Sequence, residues 1–79
     1  MRAPKKSLHI LHATNFTFQS VHDIAEATGH SPALVGRLAS EMVIDGLLKR
    51  KIQYSPREVC FYRLTPKGYR HLQKHKQNP

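Results

Sequence analysis

Apolar positions along this 79-residue chain recur first with a helical period, then with a strand period, then with a helical period again. Leu8, Ile10 and Leu11 fall on one side of a helix predicted from Lys5 to Thr14, and Pro4 suits its first turn. Asn15-Phe16-Thr17-Phe18-Gln19 breaks that period, and its alternation of Phe and Thr predicts a short extended piece. Ser20 fits an N-cap, with Asp23 where a capping box places its partner, although Glu or Gln is the usual residue there. Val21, Ile24, Ala25 and Ala27 form a short apolar stripe that Gly29 can end in a left-handed conformation. Ser31 is a second N-cap and Pro32 a favourable first helical residue. Leu34, Val35, Leu38, Met42 and Val43 then follow at helical spacing until Gly46 stops the helix.

Beyond Gly46 the period changes to two. Leu48, Arg50, Ile52 and Tyr54 point one way, and Leu47, Lys49, Lys51 and Gln53 the other. Ser55-Pro56-Arg57-Glu58 carries turn chemistry and Val59 to Leu64 is rich in β-forming residues, so the two runs read as a hairpin. Cys60, Tyr62 and Leu64 share one strand face and finish the core, with Cys60 a small buried apolar residue rather than a reactive one. Thr65-Pro66 repeats the cap-plus-proline signature and opens a last helix to about Lys74, with Tyr69 and Leu72 facing inward. The order is that of an α+β winged helix-turn-helix: a three-helix core, a β-hairpin wing and a C-terminal helix. Its expected extent is residues 4–74, with flexible basic ends at 1–3 and 75–79.

Composition narrows the class of protein. Hydrophobic residues make up 39% of the chain, enough for one modest core and too many for a disordered segment. Cys60 is the only cysteine, which excludes an internal disulfide and suits a reducing cytosol. No apolar run approaches the ~20 residues of a membrane span, and Met1 to Lys6 lacks the apolar stretch of a secretory signal. A cytoplasmic protein with no membrane association is expected. The net charge is +8, and its distribution says more than its size. Residues 1–48 balance, whereas residues 49–79 hold nine basic residues against Glu58 alone. A polyanionic partner suits that half, although Lys74 and Lys76 also read as a solubilising tail.

The pair of helices joined around Gly29-His30-Ser31-Pro32 carries the functional signal. A tight connection lets the second helix project and enter a major groove of double-stranded DNA, and Ala25 is small where the two helices must approach. Taken alone, the same turn also suits an ordinary helical hairpin. In the third helix Val35, Leu38, Ala39 and Met42 form the inner stripe, leaving Ala33, Leu34, Gly36, Arg37, Ser40 and Glu41 mostly outward. Arg37 can donate two hydrogen bonds to guanine, with an ion pair to Glu41 one turn on as the competing role. Gly36 would allow close approach to bases. Ser40 can meet a phosphate or a base edge, and Ala33 or Leu34 a thymine methyl. His30 and Ser31 can bind a phosphate at the helix start, and Ser31 serves equally as a simple cap. In the hairpin Lys49, Arg50, Lys51, Gln53 and Arg57 are candidate phosphate contacts, although alternation separates Arg50 from its two neighbours, so not all can face DNA. Tyr54 can pack on a sugar or under the wing.

Three stretches extend this reading: Ile24 to Leu38 (IAEATGHSPALVGRL), Asp45 to Arg50 (DGLLKR) and Leu64 to Gly68 (LTPKG). In order and spacing they resemble winged-helix transcriptional regulators of the MarR and PadR type, over about residues 18–70. The resemblance implies that Gly36 and Arg37 face DNA and that Arg57 is a wing arginine reaching into the minor groove. Members of the MarR group carry further helices at both ends that build their dimer. Seventy-nine residues leave no room for those, so the resemblance extends to the DNA-binding core.

Other chemistries find weaker support. His71 and His75 have a zinc-binding helical spacing and Cys60 lies upstream, but a fourth ligand and a paired cysteine are missing. His9 and His12 form a second pair on helix 1. The histidines read as exposed residues and no metal or other cofactor is expected. No glycine-rich phosphate cradle or carboxylate cluster suggests catalysis. The expected function is a sequence-specific DNA-binding transcriptional regulator, homodimeric at least on DNA, with Leu8, Leu11 and Leu72 at the dimer surface. The competing functions are a winged-helix protein-interaction adaptor and an excisionase-like architectural factor.

Overall fold

Cap chemistry divides the chain in the computed structural model, which describes residues 5–76 and the side chains of 6–74. The elements run α1 (Lys5–Ala13), β1 (Gln19–Ser20), α2 (Val21–Thr28), α3 (Pro32–Ile44), β2 (Leu48–Gln53), β3 (Val59–Leu64) and α4 (Pro66–Lys76). α4 continues two residues beyond its expected end. The expected flexible ends at 1–3 and 77–79 and the side chain of His75 lie outside the described residues. At the start of α2 the capping box closes: the Ser20 hydroxyl accepts from the Asp23 N–H at 3.1 Å, and the Asp23 carboxylate from the Ser20 N–H at 3.4 Å.

The three strands form one antiparallel sheet in the order β1-β3-β2. Register sets Leu48 opposite Leu64, Arg50 opposite Tyr62 and Ile52 opposite Cys60 on the face turned to the helices. That face and the helices enclose a core of Ile10, Leu11, Ile24, Ala25, Val35, Leu38, Ala39, Met42, Leu48, Tyr62 and Leu64. The inner stripe expected of α3 is therefore its buried face.

Elsewhere the packing differs from the pattern. The extended piece expected over 15–19 shrinks to a strand of Gln19 and Ser20. The Asn15 side-chain oxygen accepts from both the backbone N–H and the hydroxyl of Thr17, and this local turn outcompetes the strand. Tyr69 turns outward, 45% exposed, and packs against Phe16 with ring centroids 5.7 Å apart. Ala27 is exposed rather than part of the α2 stripe, and Cys60 is half-buried. Tyr54, 71% exposed, has no place under the wing.

One corner holds α3, β2 and α4 together. Gly46, at φ +80°, turns the chain after α3, with its N–H on the Val43 carbonyl at 3.0 Å and the Leu47 N–H on the Met42 carbonyl at 2.8 Å. The Thr65 hydroxyl donates to the Gly46 and Leu47 carbonyls at 2.7 and 2.9 Å and accepts from the Gly68 N–H at 3.0 Å. Lys67 Nζ donates to the Asp45 carbonyl at 2.9 Å. Gly68 is buried so tightly that a Cβ would collide with the Leu47 carbonyl oxygen. Gly68→Ala should therefore cost about 2–3 kcal/mol of stability in urea unfolding, because backbone cannot yield as a side chain does.

Candidate nucleic-acid interface

Three residues turn the chain from α2 into α3. Gly29 ends α2 at φ +78° and donates its N–H to the Ala25 carbonyl at 2.8 Å. The His30 N–H meets the Thr28 hydroxyl at 3.3 Å. The Ser31 hydroxyl accepts from the Leu34 N–H at 3.2 Å, so this side chain acts as a cap. The His30 ring stacks on His9 of α1, with centroids 5.7 Å apart and planes 12° from parallel. Its Nε2 is buried with no hydrogen-bond partner among the described residues, turned into the fold rather than toward a ligand outside.

α3 presents one continuous outer stripe. Ala33, Arg37 and Glu41 are exposed on successive turns and Ile44, 84% exposed, closes the row. Gly36 and Ser40 are half-buried beside it. Leu34, expected to face outward, is half-buried and packs against the core. Among the described residues no hydrogen bond ties Arg37 to Glu41, which leaves the guanidinium free to donate. A Cβ built on Gly36 would meet nothing within 4 Å, so the fold does not demand glycine there.

The hairpin splits its cations between two faces. Arg50 lies on the core-side face, and its Nη1 donates to Ser40 of α3 at 3.3 Å. Arg50 is among the hairpin residues expected to contact phosphate. Alternation had separated it from Lys49 and Lys51, and that separation places it beside α3. Lys49, Lys51 and Gln53 lie on the opposite face of the sheet, away from the outer stripe of α3. Gln53 Nε2 donates to the Ser55 carbonyl at 3.0 Å, bracing the turn. Arg57 is exposed in that turn. The basic groups therefore divide into Arg37 and Arg50 on the α3 side, Lys49 and Lys51 on the opposite face of the sheet, and Arg57 in the turn between the strands.

Among the described residues, no three His, Cys, Asp or Glu side chains gather closely enough to hold a metal ion. No described helix is long and apolar enough to cross a membrane. Comparison of the sequence with protein-family models and with curated proteins gives no match. Comparison of the structure does. Bordetella bronchiseptica BpsR, described for the regulation of its DNA binding by 6-hydroxynicotinic acid, superposes with a TM-score of 0.84 at 20% identity over 94% of this chain. A MarR-family transcriptional regulator from Rhodococcus sp. gives 0.81 at 21% identity over 94% of the chain. The fold is a winged helix-turn-helix. A mutant of Lactococcus lactis ZitR in complex with DNA gives 0.77 at 23% identity over 95% of this chain.

The winged helix spans 57%, 53% and 51% of those three chains, respectively. Within it, α2 and α3 are the helix-turn-helix pair and the β2–β3 hairpin is the wing. Glycine inside α3 costs about 1 kcal/mol relative to alanine. With open space around Gly36, Gly36→Ala should raise stability by about 0.5–1 kcal/mol in thermal unfolding. A loss of stability would show that the fold itself needs this glycine.

Proposed function

We propose that this winged helix is a sequence-specific regulator of transcription that binds double-stranded DNA. α3 lies in the major groove and the wing turn on the backbone or in the minor groove. The observation that carries this reading is the Arg50–Ser40 contact, which adds a second guanidinium to the α3 surface that already presents Arg37. Two guanidinium forks on one exposed face suit guanine edges and phosphates. Gly36, not required by the fold, leaves the helix backbone open to close approach, and Ala33 offers a methyl to thymine. Ser31 and His30 hold the start of the helix in place. Arg57 extends the contact at the turn, while Lys49, Lys51 and Gln53 lie on the other face of the sheet and take no part in it. Catalysis has no part in this reading, and neither does a cofactor.

Selection of duplexes from a random library, followed by affinity measurements against salt, tests it. Arg37→Ala should cost about 1–3 kcal/mol on the selected duplex and much less on random duplexes. Arg50→Ala should weaken both and reduce the salt slope by about one. A steep salt dependence with no sequence preference would sink the specific-regulator reading and turn the molecule into an architectural factor.

A second copy fits the opposite side of the molecule. α1, the end of α2 and α4 border an open groove of 510 Å³ lined by Leu8, His9, His12, Ala13, Ala27, Thr28 and Leu72. A smaller hollow of 240 Å³ adjoins it at His12 and Leu72 and includes Phe16 and Tyr69. Neither lining contains Lys, Arg, Asp or Glu, so two strongly basic copies can meet here without bringing their charges together. Leu11, expected at this surface, is instead fully buried in the core of its own chain. Tyr69→Glu should shift the protein toward monomer in sedimentation and weaken binding to a two-half-site duplex by about tenfold or more, with little effect on a single half-site. Unchanged sedimentation and binding would remove the dimer from the proposal.

A further inference from the structure

The outer face of the sheet carries charge that neither the core nor the α3 surface uses. Register pairs Lys49 with Arg63 and Lys51 with Phe61, so Lys49, Lys51 and Arg63 share the face opposite to Leu48, Tyr62 and Leu64. Phe18 lies among them, its ring centroid 5.6 Å from Lys51 Nζ and 5.4 Å from the Arg63 guanidinium carbon. No Asp or Glu occurs in any of the three strands. Like charges directly opposite each other weaken a ladder, and Lys49 with Arg63 is such a pair. Lysines often guard a sheet edge against pairing with other chains. That role accounts for Lys49 and Lys51 on β2, which is an edge strand. It does not account for Arg63, because β3 is the central strand.

We infer that this outer face is a second phosphate-binding surface, holding the backbone of a second DNA duplex while α3 holds the first. The inference rests on the DNA-binding reading of α3. Charge selects a polyanion, since three cations gather with no carboxylate on the strands to answer them. Phe18 selects backbone phosphates over unpaired bases, because the ring that would stack on a base is already covered by cations. Cations held on a ring keep N–H groups to donate to phosphate oxygens, and their side chains are ordered in advance. Position selects a separate duplex. The face points away from Arg50 and Ser40, so one straight duplex cannot lie against both. Backbone contacts carry little sequence preference, so the second duplex is held whatever its sequence.

The test immobilises the selected duplex, saturates it with the full chain, and measures capture of a labelled duplex of unrelated sequence at about 50 mM salt. Wild-type protein should capture the second duplex, with capture falling steeply as salt rises. The double variant Lys51→Gln/Arg63→Gln should keep its affinity for the immobilised duplex within about threefold and lose capture by about tenfold or more, as removal of two phosphate contacts predicts. Binding of the immobilised duplex without capture of a second one overturns this inference and leaves the DNA-binding reading standing. Failure to bind the immobilised duplex overturns both. Undiminished capture by the double variant also overturns the inference, because two associated copies each holding one duplex then account for the bridge. Equal losses of both affinities overturn it too, by showing one continuous surface.

Discussion

The carbonyl oxygen of Leu47 is the point on which the functional geometry turns. It accepts from the Thr65 N–H at 3.2 Å and from the Thr65 hydroxyl at 2.9 Å, and buried Gly68 presses directly against it. These contacts lock the first residue after the α3 turn, and so set the phase in which β2 begins. Strand side chains alternate with a period of two, so that phase decides which cations face α3 and which face away. Leu48 goes into the core, Arg50 reaches Ser40, and Lys49 and Lys51 take the outer face. A slip of one residue would exchange the two sets.

The same corner explains why the Leu64–Gly68 stretch behaves as a unit. Thr65 caps α4 and clasps the α3–β2 turn at once, Lys67 holds the Asp45 carbonyl, and Gly68 permits the close approach. Lys67 is thus a cation with a structural partner, whereas Arg37 and Arg57 stand exposed. The basic half of the chain is accordingly several groups with different environments. One lies with α3, one spreads over the outer sheet face, and one is tied into the fold. Crowding cations on strands that contain no carboxylate works against a compact state, and a polyanionic partner relieves that repulsion.

Local chemistry made much of the fold legible in advance. Ser20 with Asp23, Gly29, Ser31 with Pro32, and Gly46 act through hydrogen bonds or backbone angles that span only a few residues, and each sits where its element begins or ends. The inner stripe of α3 was equally legible, because Val35, Leu38, Ala39 and Met42 repeat at the helical period. Asn15 shows the limit of this approach. Its bonds to Thr17 are local as well, yet the Phe-Thr alternation beside it suggested a strand. Two local preferences competed, and the hydrogen-bonded turn prevailed.

The sequence by itself determined the order of the elements, the caps that begin α2 and α3 and the glycines that follow them, the buried face of α3 and the concentration of positive charge from Lys49 onward. All of these depend on residue type and short-range spacing. Tertiary structure alone decided which polar groups share a surface. Arg50 meets Ser40 ten residues away, His30 turns back onto His9, Tyr69 finds Phe16, and Arg63 joins Lys51 over Phe18. Each of these pairs joins residues ten or more positions apart in the sequence. Their meeting depends on the strand register and the angles between elements, which a one-dimensional pattern does not encode.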